Sequence, residues 1–218
     1  MWKPVELNLT GRVPVGATHA SERTLAVAAL FGIALQRGEE CTLFENVKMA
    51  IAPGDVVLIT GPSGAGKSTL LRSITEALQS RTTLKIAALD TIPLETDRAV
   101  VDCFDGDLDA ALAHLARAGL SEAHLCLRAP ADLSEGQRFR YRLAQFFASD
   151  AHVLLADEFG ATLDRVTARV VAHQLGKFVR ASGRTAVLAT THEDLADDLR
   201  PALHIWKGFG ERIVCSRH

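Results

Sequence analysis

The chain is poor in aromatic residues, which make up 6% of it, and holds a single tyrosine. Its four cysteines, Cys41, Cys103, Cys126 and Cys215, are scattered, with no C-x-x-C pair and no metal-ligand spacing. That pattern excludes a disulfide scaffold and a zinc module, and points to reduced, mostly buried thiols of a cytoplasmic protein. Charge of one sign is also lacking: the net charge is −2, without the basic excess that nucleic-acid or anionic-membrane binding brings. The longest apolar stretch, 24–35, is too short to cross a bilayer, which takes about 20 residues. The start, Met1 to Glu6, has no signal-peptide apolar core. No low-complexity segment, internal repeat or Pro/Gly/Ser-rich linker divides the 218 residues, so one domain over 1–218 is expected. At 48% hydrophobic it has chain enough for a large core.

Against these absences stands Gly61-Pro62-Ser63-Gly64-Ala65-Gly66-Lys67-Ser68, which fits G-x-x-x-x-G-K-[ST]. The apolar run Val56–Thr60 before it reads as a buried strand, and the segment from Ser68 and Thr69 onward as a helix. Glycines let the backbone turn its N–H groups inward onto phosphate oxygens, and the helix start adds partial positive charge. Lys67 is placed to reach the β- and γ-phosphates and Ser68 to ligate Mg²⁺. The spacing therefore predicts a nucleotide site. A second run, Val153–Ala156, ends in Asp157 and Glu158, two carboxylates at the end of a buried strand. Asp157 suits Mg²⁺, through water, and Glu158 suits polarising an attacking water.

Between the two lies Leu133-Ser134-Glu135-Gly136-Gln137, ahead of a helix carrying Arg138, Arg140 and Arg142. Thr162-Leu163-Asp164 and, after an apolar strand at 185–189, Thr190-Thr191-His192 follow. In this order the motifs resemble those of the ATP-binding-cassette (ABC) ATPases, whose signature is usually Leu-Ser-Gly-Gly-Gln. The resemblance implies an α/β fold: a mostly parallel sheet with flanking helices, an antiparallel β region from the first sixty residues and a small helical subdomain over about 95–140. It implies ATP and Mg²⁺ as ligands, with Gly61 to Thr69 binding phosphate. Ser134, Gly136 and Gln137 would reach the γ-phosphate of a second, head-to-tail copy. Catalytic roles fall to Lys67, to Glu158 as general base and to His192 as γ-phosphate contact. Glu135 replaces the usual glycine and reads as an outward residue favouring the helix start.

Two family features are missing. No glutamine occupies the loop at 88–94, where Asp90 or Thr91 could substitute. No aromatic residue stands around Leu35 to Glu39 to stack on adenine; Arg37, Phe31 or Phe44 are the substitutes, although the alternation around Phe44 places it in the core. The short Lys67–Ser134 segment retains one amphipathic helix at 107–117, whose stripe 108, 111, 112, 115 reads as packed core. Strands at 5–9 and 42–51 and a helix at 20–36 complete the expectation. The tail motifs, with Leu30 to Ile33 and Lys207 to Gly210, are similar to a group of soluble ABC ATPases found beside acetyltransferase-like domains. That implies a dimerising ATPase acting on a separate protein, a possible acetyltransferase. The alternatives are a transporter's nucleotide-binding subunit and an ATP-operated nucleic-acid clamp. The missing glutamine and small lobe weigh against transport, and the lack of a coiled-coil insertion against the clamp.

Overall fold

The computed structural model describes residues 2–14, 16–17, 19–35, 38, 40–81, 84–210 and 212–217. Strand β1 (Val5–Pro14) pairs antiparallel with β2 (Glu40–Ile51). Both run further than the alternation alone predicts. Leu7, Leu9 and Gly11 point inward from β1, and the register slips on both sides of Gly11. The slip accommodates Phe44, whose fully buried ring covers Gly11. Phe44 is thus core, as its neighbours suggest, and cannot reach a base.

The main sheet has six strands in the order β4-β5-β6-β3-β7-β8. These are β3 (Val56–Thr60), β4 (Ile86–Ala88), β5 (Val153–Ala156), β6 (Thr185–Ala189), β7 (Leu203–Lys207) and β8 (Ile213–Arg217), parallel except for β8. The central strands β3, β5 and β6 are buried along their whole length because helices cover both faces, which explains why they read as continuous apolar runs. One face carries α2 (Lys67–Arg81), whose Leu70, Ile74 and Leu78 join Ile59, Leu155 and the β1–β2 pair. The other carries α5 (Glu135–Ala148) and α6 (Arg165–Ser182) over Leu58, Leu154 and Ala186. The small lobe, with α3 (Leu108–Arg117) and α4 (Ala123–Cys126), shares that second core through Val100, Leu115 and Leu125.

Three expectations need correction. The early helix, α1, spans only Glu22–Phe31, because Gly32 takes the left-handed conformation and ends it. The α3 stripe is only half core: Ala111 and Leu115 are buried, but Leu108 and Leu112 are 61% and 40% exposed. Among the described residues no further layer covers that edge. Among the cysteines, Cys126 is buried and Cys103 partly so, whereas Cys41 and Cys215 are exposed on edge positions of the two sheets. The arginines after the signature are spent on the fold. Arg138 donates to Ala131 O, Arg140 to Gly136 and Gly119 O, and Arg142 to Ile92 O, tying α5 to the lobe and to the loop after β4.

Candidate functional site

The carboxyl ends of β3, β5 and β6 converge on one edge, where open α/β sheets bind ligands. After β3 the backbone turns at Gly61, with φ +137°. A Cβ there would lie 2.0 Å from the carbonyl oxygen of Lys207 at the end of β7, so only glycine fits. The chain then curls through Gly66 into α2, which starts at Lys67 and has no acidic residue in its first turn. Its free N–H groups and dipole face the loop, an anion site built from backbone. The Lys67 ammonium donates to Gly61 O and Pro62 O at 2.9 and 2.8 Å. Burial lowers its pKa, and the nearby Asp157 and Glu158 act in the opposite direction.

At the end of β5, Asp157 and Glu158 are both exposed toward this loop. Glu158 has φ +49°, a left-handed conformation that costs a non-glycine residue strain, and its N–H donates to Asp157 Oδ1 at 3.0 Å. Behind the acids, Phe159 N–H bonds Ala189 O and Thr190 N–H bonds Ile59 O. The buried Thr190 hydroxyl donates to Phe159 O at 2.9 Å and accepts from His192 N–H at 3.1 Å. The three strand ends are thereby stitched together, and His192 is fixed relative to Glu158. Arg165, directly after Asp164, donates to His192 Nδ1 at 3.1 Å and pairs with Asp194. Since a guanidinium only donates, Nδ1 is the acceptor and the neutral ring carries its proton on Nε2. Sequence reasoning missed Arg165; its place right after the Thr162–Asp164 motif was the available signal.

A cleft of about 550 Å³ joins Ser63, Gly64, Gly66 to Thr69, Asp157, Glu158, Thr190 and Thr191 to Val13 of β1 and Leu43 of β2. Val13 and Leu43 are the larger aliphatic residues of its lining. Phe31 is 69% exposed at the end of α1, and Arg37 lies outside the described residues. No sequence signal marked Val13 or Leu43, which meet only through strand pairing. A second cleft, about 460 Å³, runs from the same acids to Asp90, Glu135, Arg138 and Arg142. Of the two candidates for the missing glutamine, Asp90 opens into this cleft, while the Thr91 hydroxyl is bound to Ala88 O.

The signature motif forms the N-terminus of α5. Ser134 Oγ accepts from Gln137 N–H, and Gln137 Oε1 accepts from Ser134 N–H, a reciprocal capping box. Gln137 therefore uses its side chain on the helix end rather than aiming it outward. Ser134 and Glu135 are exposed. A Cβ on Gly136 would sit 2.9 Å from Thr162 O, so the motif packs directly on the segment leading to Asp164. Ser134, Gly136 and Gln137 do not line the phosphate-loop cleft of their own chain.

The model for the AAA ATPase domain family matches residues 35–175. The zinc import ATP-binding protein ZnuC of Roseobacter denitrificans is 30% identical over 201 residues, covering 84% of this chain and 72% of its own. The chain belongs to the ABC ATPases. The residues matched by the family model take in the phosphate loop, the Ser134-capped signature and the acidic strand end. The lipoprotein-releasing system ATP-binding protein LolD of Novosphingobium aromaticivorans is 31% identical, over 74% of this chain and 86% of its own. Among solved structures, a dimeric MJ0796 ABC transporter cassette superposes with a TM-score of 0.63 at 24% identity over 84% and 94% of the two chains. Its post-hydrolysis state bound to ADP and Pi gives 0.66 at 23% identity over 99% of each. The protein is therefore an ATPase with the cassette fold, taking ATP and Mg²⁺.

The residues fit a Mg-nucleotide. Ser68 and Asp157 bring a hydroxyl and a carboxylate, both hard oxygen donors, into the same cleft as the Lys67 ammonium and the start of α2, so a divalent cation and phosphate have partners side by side.

Proposed function

We propose that the chain is a cytoplasmic ATPase that closes as a head-to-tail dimer around ATP and converts that closure into work on a protein partner. One observation carries the dimer: Ser134, Gly136 and Gln137 do not line the phosphate-loop cleft of their own chain, and Ser134 stands exposed outside it. A second copy would complete the site with a hydroxyl, an N–H and a helix-end dipole. Gly61 to Thr69 would hold the phosphates, and Lys67 would leave its two carbonyls for phosphate oxygens. Ser68 and Asp157 would hold Mg²⁺, which supplies charge compensation between the phosphates. Glu158 would take a proton from the attacking water, and His192 would donate its Nε2–H to the γ-phosphate. Asp90 would serve as the oxygen donor in place of the missing glutamine. Adenine would lie against Val13 and Leu43.

A second reading, the nucleotide-binding subunit of a transporter, is favoured by the import and lipoprotein-release functions in the names of the relatives. Among the described residues no helix is long and apolar enough to cross a membrane. An acetyltransferase partner rests on the tail motifs alone. Light scattering on Glu158→Gln with and without Mg-ATP tests the first reading. The variant should bind ATP, hydrolyse it about 10²–10⁴-fold more slowly and accumulate as a dimer. A variant that stays monomeric beside an active wild type would overturn it. Using the trapped dimer as bait then separates a soluble partner from an integral membrane protein.

A further inference from the structure

Helix α1 is well formed locally yet buries nothing. Ser21 and Thr24 close a capping box at its start, and Gly32 caps its end. None of its ten residues is buried. Leu25, Val27, Leu30 and Phe31, with Ile33 just beyond, are 50–78% exposed. An isolated helix of this length is marginal in water and needs an apolar surface to pack on. From Thr24 to Leu35 there is no charged residue, so the helix lacks the basic face of a membrane-surface or nucleic-acid helix.

Its place in the chain indicates the surface. The helix interrupts the β1–β2 pair between Pro14 and Glu40, which are register partners. That end of the pair carries Val13 and Leu43 into the phosphate-loop cleft, so the segment holding α1 leaves and rejoins the pair beside the cleft. The reading of this face as the dimer face is the one on which the present inference rests. In a head-to-tail pair, the signature-bearing lobe of the second copy arrives there. That lobe has exposed apolar residues of its own: Leu127, 77% exposed and close before the signature, and Leu108 and Leu112 on α3.

We propose that α1 is a dimer clasp, docking its apolar face onto the Leu127 side of the helical lobe of a second copy when ATP closes the pair. The test uses full-length Glu158→Gln as parent, with Val27→Glu and Leu30→Glu together, and separately Leu127→Glu. Dimerisation is followed by light scattering in Mg-ATP, and monomer binding by a fluorescent ATP analogue. Each set should raise the dimer dissociation constant at least tenfold, with unchanged nucleotide affinity in the monomer and unchanged melting temperature. Dimer constants within twofold of the parent would overturn the clasp while leaving the head-to-tail reading intact. A parent that never dimerises overturns both. Binding of the parent to phosphatidylcholine or phosphatidylglycerol vesicles that the α1 variant loses, with dimerisation unaffected, would reassign the helix to a lipid surface and also refute the clasp.

Discussion

Thr190→Val is the substitution that most directly tests how this site is held together. The side chains have nearly the same shape, but the hydroxyl is lost at a position 1% exposed. Two hydrogen bonds go with it, the 2.9 Å bond to Phe159 O and the 3.1 Å bond from His192 N–H. At about 1 kcal/mol each, plus a penalty for leaving Phe159 O without that donor in a dry environment, the variant should lose about 2–4 kcal/mol of stability. The functional effect should be larger in kind. Phe159 follows Glu158 directly, so the lost bridge lets His192 drift relative to the base, and displacements near 1 Å can cost about 10²-fold in rate. Urea unfolding and steady-state ATPase kinetics read the two effects separately. We expect kcat to fall 10- to 100-fold (an order-of-magnitude range) with KM nearly unchanged, since the phosphate loop from Gly61 to Thr69 would supply most of the phosphate contacts. Thr190→Ser, which restores the hydroxyl, should recover most of kcat. Wild-type kcat in Thr190→Val, or a loss seen only in KM, would refute the idea that this bridge aligns the histidine with the base.

Other expectations can be checked alongside. Because Val13 and Leu43 offer apolar contact without hydrogen bonds to the base edge, GTP should be used with a kcat/KM within about tenfold of ATP, whereas Val13→Tyr should tighten nucleotide binding; strong discrimination against GTP by the wild type would reject this base site. His114 stacks on Phe104, and burial, with Arg117 and Arg184 nearby, lowers its pKa below the ordinary 6.5. The unfolded chain therefore binds the proton more readily than the folded one. Stability should be full above pH 6.5 and decline as pH falls below it, and His114→Gln should flatten that decline in melting-temperature profiles.

The residues proposed for phosphate chemistry stand out in the chain because each belongs to a local pattern. A phosphate loop needs glycines and a lysine within a few positions, and a buried strand ending in Asp157 and Glu158 advertises itself by contrast with its apolar run. Ser134 and Gln137 were read only as signature residues; their reciprocal capping box, although it spans just four residues, came from the structure. What the sequence could not settle depends on contacts between distant segments. Val13 and Leu43 become a wall of the cleft only when β1 and β2 pair, and apolar residues on strands look alike whether they face a core or a ligand. Leu108 and Leu112 share a helical stripe with Ala111 and Leu115, but the stripe says nothing about where the neighbouring layer ends. Periodicity reports which residues share a face. Only the tertiary structure decides whether anything covers that face, because burial is a property of the partner surface as much as of the helix.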